Sequence, residues 1–124
     1  MITGVGIDIA ESCRIEATLA RFGEKFFERI YSEKEIALLA DTRRDAAFHA
    51  GRWAAKEAAA KALGVGFGAN CHPAEIVITN GADGAPQIEF IGETAKLAAA
   101  AGAKAWVSIS HEKNYATAVV ILEK

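Results

Sequence analysis

Between Thr3 and Ile9, the apolar Val5, Ile7 and Ile9 alternate with Gly4, Gly6 and Asp8, a period of two that predicts a strand with one packed face. Asp8 then points away from Val5 and Ile7. From Glu11 to Phe22 the spacing turns helical: Ile15, Leu19 and Phe22 share one stripe, Arg14 and Arg21 share another, and Gly23 ends the helix. Ser32-Glu-Lys-Glu35 has the capping-box form ahead of Ile36, Leu38 and Leu39, which predicts a second, short helix. Asp45 is placed to cap a third helix that runs to about Leu63, with Gly64 suited to the left-handed position beyond it. The recurrent alanines of that helix predict close packing in the middle of the fold.

Val65 to Pro73 reads as a loop, after which Glu75 to Thr79 and Pro86 to Phe90, joined by a Gly- and Asp-rich turn, read as a hairpin. Glu93 to Ala101 is a helix closed by Gly102. Ala105 to Ser110 and Tyr115 to Leu122 are strand-like runs joined by His111 to Asn114. The order is βαααββαββ, without repeats or linkers, which predicts one α+β domain over residues 1–124.

With 124 residues, 52% of them hydrophobic and 24% charged, the composition is that of a globular domain. Such a chain buries roughly two thirds of its unfolded surface and holds a core without disulfides, although an oligomer would add burial. The formal charge of -2 argues against general nucleic-acid binding, which needs a basic excess to neutralise phosphates. Cys13 and Cys71 form no C-x-x-C pair and no zinc spacing, so both read as incidental thiols of a reducing cytosol. The first residues meet Asp8 without a basic stretch, and no apolar run reaches the roughly 20 residues that span a bilayer. The expectation is a cytoplasmic protein with neither a membrane nor a nucleic acid as partner.

Gly4-Val-Gly6 is no dinucleotide loop, because the glycines lie inside the strand pattern and the third glycine of that fingerprint is missing. Taken alone, Asp8 is an ordinary turn carboxylate. Glu57 lies one helical turn from both Trp53 and Lys61, and on helix statistics alone it is an ordinary Glu–Lys pair on a solvated face. Against that, Arg52, Lys56 and Lys61 around one carboxylate form a cationic surface in an acidic protein, which suits a polyphosphate whose metal is held by few protein oxygens. His111 follows the strand ending at Ser110 and precedes Glu112, a place where active-site side chains sit on loops held by a sheet. His49 and His72 carry no chemical role, and the three histidines lack ligand spacing.

Five segments together resemble the ordered motifs of bacterial holo-acyl-carrier-protein synthases, the short stand-alone 4'-phosphopantetheinyl transferases. They are Gly6-Ile-Asp8 through Arg14, Arg29-Ile-Tyr-Ser-Glu-Lys-Glu35, Arg52-Trp-Ala-Ala-Lys56-Glu57-Ala-Ala-Ala-Lys61-Ala-Leu-Gly64, Gly84-Ala-Pro86, and Ser108-Ile-Ser110-His111. The strand with Asp8 and the helix with Glu57 are the specific ones. The chain has no internal repeat, unlike the larger transferases with two pseudo-repeated halves, so the resemblance implies the short class. That class forms homotrimers with an active site between neighbouring subunits.

The resemblance implies transfer of the 4'-phosphopantetheine arm of coenzyme A to a serine of apo-acyl-carrier protein in fatty acid biosynthesis, with Mg2+ as cofactor. It assigns Asp8 and Glu57 as metal ligands and Asp8, Glu57 and Lys61 as the catalytic set. Coenzyme A contacts fall on Arg52, Lys56, Lys61, Gly64, Ser110 and His111. Carrier contacts fall on Arg14, Ile15, Arg21 and Phe22. The acceptor of the serine proton is left open between a water activated by the metal, Glu57 and Glu112. A non-catalytic carrier- or nucleotide-binding module on the same fold is the alternative, and the presence of Asp8, Glu57 and Lys61 together speaks against it.

Overall fold

The computed structural model describes residues 1–39, 45–102 and 104–124. Strand β1 (Ile2–Glu11) leads into helices α1 (Ser12–Phe22), α2 (Glu24–Ile30), α3 (Glu33–Leu39) and α4 (Ala46–Ala62). A single turn at Pro73–Glu75 precedes the hairpin of β2 (Ile76–Asn80) and β3 (Pro86–Phe90), and α5 (Gly92–Ala100), β4 (Lys104–His111) and β5 (Tyr115–Glu123) complete the chain. The expected order holds, with one helix added. Gly23, at φ 53°, donates its N–H back to the Leu19 carbonyl, so α1 closes and the chain turns straight into α2. Phe26 and Ile30, one turn apart on α2, are buried in the smaller core cluster beside Ile15 and Tyr31.

Strands β1, β5 and β4 form an antiparallel sheet in that order, and β2 and β3 pair separately. Helix α4 is the axis of the domain. Asp45 caps it by accepting from the Phe48 N–H at 3.0 Å. Its alanines 54, 55, 58 and 59 are sealed against Val120 and Leu122 of the sheet and Ile76 and Ile78 of the hairpin. The approach is so close that a Cβ on Gly6 would stand 1.9 Å from the Ala58 carbonyl oxygen, and one on Gly4 would stand 2.1 Å from that of Ala62. The two glycines are a packing slot for a helix, in keeping with their rejection as a nucleotide loop.

That slot reverses one expectation. The period of two in β1 is real, but the packed face is the one bearing Gly4, Gly6, Asp8 and Ala10. Val5, Ile7 and Ile9 are 58%, 65% and 65% exposed. Across the sheet the same outer face carries Val119 and Ile121 of β5 and Trp106 of β4.

Ser32, Glu35, His49 and Lys56 are buried polar residues at α3 and α4. Ser32 and Glu35 form the expected capping box, Ser32 N–H to Glu35 Oε1 at 3.0 Å and Glu35 N–H to Ser32 Oγ at 3.2 Å. Tyr31 Oη lies 2.6 Å from His49 Nδ1 in the interior.

Candidate active site

Because β1 turns its glycine face to α4, Asp8 is carried inward at the point where the last turns of α4 pass over the strand. Lys61 Nζ donates to Asp8 Oδ1 at 2.8 Å and to the Ile7 carbonyl at 3.0 Å. Glu57, one turn earlier on the same face of α4, completes the group. Partial burial holds the Glu57 carboxyl above the usual carboxylate range, the Asp8 charge raises it further, and Lys61 opposes both. Lys61 in turn is raised by its hydrogen bond to Asp8. Two carboxylates and one ammonium therefore share a partly desolvated corner, an arrangement whose excess negative charge a cation would relieve. Among the described residues no three Asp, Glu, His or Cys side chains converge on one point.

The remaining cations do not surround Glu57. Arg52 precedes it by five positions, roughly 140° around the helix, and faces a second cleft. This cleft, about 220 Å³, is lined by Phe48, Arg52, Asn80, Gly84, Pro86 and His111. Arg52 and His111, expected in one coenzyme site, are thus brought together, but on another side of α4 from Asp8. Phe48 and Asn80 were not singled out by sequence. Asn80 does stand at the end of a strand just before the Gly-rich turn, and that position was the available signal.

Lys56 is withdrawn from the coenzyme contacts. Its side chain is 0% exposed, and its three ammonium protons go to Glu35 Oε1 at 2.9 Å, the Pro73 carbonyl at 2.9 Å and the Ile76 carbonyl. No donor is left for a phosphate. Ser110 pairs with Thr117 on the outer face of the sheet, whereas His111 pairs with Ala116 and faces the cleft, so the two adjacent residues do not share a site within one chain. Gly64 is exposed at φ 78° just past α4, with its N–H on the Lys61 carbonyl at 3.0 Å.

A third feature is a groove of about 770 Å³ between α1 and α2, lined by Arg14, Ile15, Phe22, Lys25, Arg29 and Trp53 among others. Arg14, Ile15 and Phe22, expected as carrier contacts, line this one groove. Ile15 is buried, so it forms the floor and not an exposed contact. Arg21 lies outside the lining, with its guanidinium 5.1 Å above the Phe22 ring. Lys25 and Arg29 of α2 and Trp53 of α4 also line the groove, the first two on a helix that the sequence pattern did not disclose. Trp53 stands one turn from Glu57 on α4.

A family model of the 4'-phosphopantetheinyl transferase superfamily matches residues 4–120. The holo-[acyl-carrier-protein] synthase of Shewanella frigidimarina is 44% identical over 123 residues, covering 98% of each chain. Among solved structures, the holo-[acyl-carrier-protein] synthase of Neisseria meningitidis matches with a TM-score of 0.91 at 32% identity, and each chain is covered in full. That of Helicobacter pylori in complex with coenzyme A matches at 0.82 and 36% identity, over 96% of this chain and 99% of that one. With a likeness that runs from β1 to β5, the chain belongs to the 4'-phosphopantetheinyl transferase superfamily.

Proposed function

We propose that this member of the superfamily moves the 4'-phosphopantetheine arm of coenzyme A onto a serine of apo-acyl-carrier protein, releasing adenosine 3',5'-bisphosphate, with Asp8, Glu57 and Lys61 as its reaction centre. It is an enzyme of the holo-[acyl-carrier-protein] synthase class. The observation that carries the assignment of the centre is the convergence of two carboxylates and one ammonium from β1 and α4 in a half-buried corner. The donor set fits a hard divalent ion: Asp8 and Glu57 would hold Mg2+, with phosphate and water oxygens as its other ligands. When bound, the ion supplies charge withdrawal at the pyrophosphate.

Lys61 meets the charge that builds on the leaving bisphosphate. Of the two candidate carboxylates for the serine proton, Glu112 accepts the Asn114 and Tyr115 N–H groups at 2.6 and 2.8 Å and is tied into its own turn. A water activated by the ion, and Glu57 where the ion does not engage it, are left as the acceptors. Arg52 and His111 bind the nucleotide half. The carrier is that of fatty acid biosynthesis, and the reaction is cytoplasmic; no described helix is long and apolar enough to cross a membrane. The test is transfer itself, read as the mass of the carrier after incubation with coenzyme A and Mg2+.

The working unit is a homotrimer. Support comes from the outer sheet face, where Val5, Ile7, Ile9 and Trp106 stay exposed on a chain of this size. Further support comes from the separation of the Arg52–His111 cleft from the carboxylate corner, which a neighbouring subunit would complete into one cleft. Sedimentation should give a trimer. Ile7→Glu should give an inactive monomer, and an active wild-type monomer would contradict the reading.

The carrier docks along α1 through Arg14, Arg21 and Phe22. Reversing both arginines to glutamate should raise the KM for carrier by about tenfold or more, because like charges then meet an acidic partner, while coenzyme A affinity stays within about twofold. Single Arg→Ala changes should show little, since exposed pairs contribute about 0–1 kcal/mol each. Lost coenzyme A affinity with an unchanged carrier KM would move this helix to the coenzyme site.

A further inference from the structure

We propose that Thr117 is a positioning residue for Asp8: from the far face of the sheet, its hydroxyl holds the Asp8 main chain where the carboxylate meets Lys61 and Glu57. This rests on reading Asp8 as a ligand of the metal. Thr117 Oγ1 donates to the Asp8 carbonyl at 2.8 Å. In the β1–β5 ladder Thr117 stands opposite Ile9, and Ala118 stands opposite Asp8, so the hydroxyl reaches diagonally to the carbonyl of the neighbouring residue. Ala116, Ala118 and Val120 of β5 are buried, and the period of two turns Thr117 to the outer face with Val119 and Ile121. The threonine side chain thus lies on the other side of the sheet from the Asp8 carboxylate and acts on the reaction only through β1.

The strand that carries Asp8 has few side chains to steady it. It lies at the edge of the sheet, with β5 beside it. Gly4 and Gly6 bring it against α4 with no side chain of their own, while Val5, Ile7 and Ile9 project outward. Hydrogen bonds must therefore set the direction of the segment. Lys61 Nζ holds the Ile7 carbonyl and Asp8 Oδ1, and Thr117 holds the Asp8 carbonyl. The two restraints are not equivalent. The Lys61 side chain is 54% exposed, and a cation on the Asp8 carboxylate competes with the ammonium for the same oxygen. The Thr117 bond is partly buried and made to the main chain, so nothing that binds the carboxylate competes with it. Thr117 keeps Asp8 in place whether or not Lys61 stays on it, as an outer partner orients the ligand of a metal.

The test compares Thr117→Val, which keeps the shape and the β-branched stem but has no donor, with Thr117→Ser, which keeps the donor. Thr117→Ala takes the place of the valine variant should that one fold poorly. Thermal melts and sedimentation first establish that each has the fold and assembly of wild type. The probe is Mn2+ titrated into the protein with coenzyme A bound and no carrier present, read from the free-ion signal in electron paramagnetic resonance. Thr117→Val should raise the Kd for Mn2+, and the Mg2+ concentration that gives half-maximal transfer, by about threefold to tenfold, with kcat at saturating metal within about twofold of wild type. The KM for carrier should not move. Thr117→Ser should stay within about twofold of wild type in every constant. A merely structural threonine would lower the melting temperature and leave the metal constants where they are. Wild-type Mn2+ affinity in Thr117→Val, or an equal loss in Thr117→Val and Thr117→Ser, overturns the proposal. If Asp8→Ala leaves Mn2+ binding intact, the reading of Asp8 as a metal ligand falls and the proposal with it; if Asp8→Ala abolishes binding and Thr117→Val leaves it unchanged, only the role of Thr117 falls.

Discussion

Replacing Lys56 by methionine should destabilise the protein by about 3–5 kcal/mol, the range for breaking a buried ion pair by removing one partner. The substitution keeps the volume of the stem and the alanine packing of α4, but it strands three acceptors at once. Glu35 is 3% exposed and accepts the Ser32 and Ile78 N–H groups as well as the ammonium, so its charge cannot retreat to water. Burial brings Lys56 down to about 8, partly offset by Glu35. The native lysine is thus less readily protonated than an unfolded one near 10.5, and between pH 8 and 10.5 the unfolded chain holds more protons. The contribution of Lys56 to stability should therefore rise with pH across that window, and the rise should be missing in Lys56→Met. Urea unfolding of both proteins at several pH values checks this. Glu35→Gln in the Lys56→Met background should recover much of the loss, since the amide keeps an acceptor for Ser32 without an unpaired charge. A loss below about 1 kcal/mol for Lys56→Met would mean that water reaches the pair.

Lys56 also marks the limit of what the sequence discloses. It neighbours Glu57 in a run rich in cations, and local spacing cannot tell a phosphate ligand from an ammonium held by two carbonyls and a carboxylate from distant elements. Helical geometry alone did contain one correction, because Arg52 precedes Glu57 by five positions and the two lie on different sides of α4. In β1 the alternation was legible, but a period of two does not say which face is covered within the chain. Val5, Ile7 and Ile9 carry the apolar signal that a core face would carry, and the slot made by Gly4 and Gly6 is visible only once α4 lies on it. Helix α2 escaped because Gly23 ends one helix and opens the next with no linker between them. The convergence of Asp8 with Glu57 and Lys61, 49 and 53 positions away, follows from no local rule; the resemblance supplied it.

Asp8→Ala and Glu57→Ala should each lower kcat/KM by on the order of 10²–10³-fold, the effect of removing one group that meets charge developing in the transition state. Neither should unfold the protein. Asp8 and Glu57 repel each other, and the apolar contacts of β1 and α4 run through Gly4, Gly6 and the alanines and not through the carboxylates. In Asp8→Ala the raised proton affinity of Glu57 should fall back towards the ordinary carboxylate range, because one of its causes is gone, and Lys61 should lose its strongest partner. Circular dichroism that matches wild type, together with lost turnover, is the expected pair of results.

The most direct measurement is the intact mass of apo-acyl-carrier protein incubated with coenzyme A and Mg2+ in the presence of the wild-type protein, of Asp8→Ala and of Glu57→Ala. Wild type should add the mass of one phosphopantetheine to the carrier, chelation of the metal should prevent it, and both folded variants should leave the carrier unchanged over the same time. An unmodified carrier with the wild-type protein, or full modification by either variant, would contradict the account.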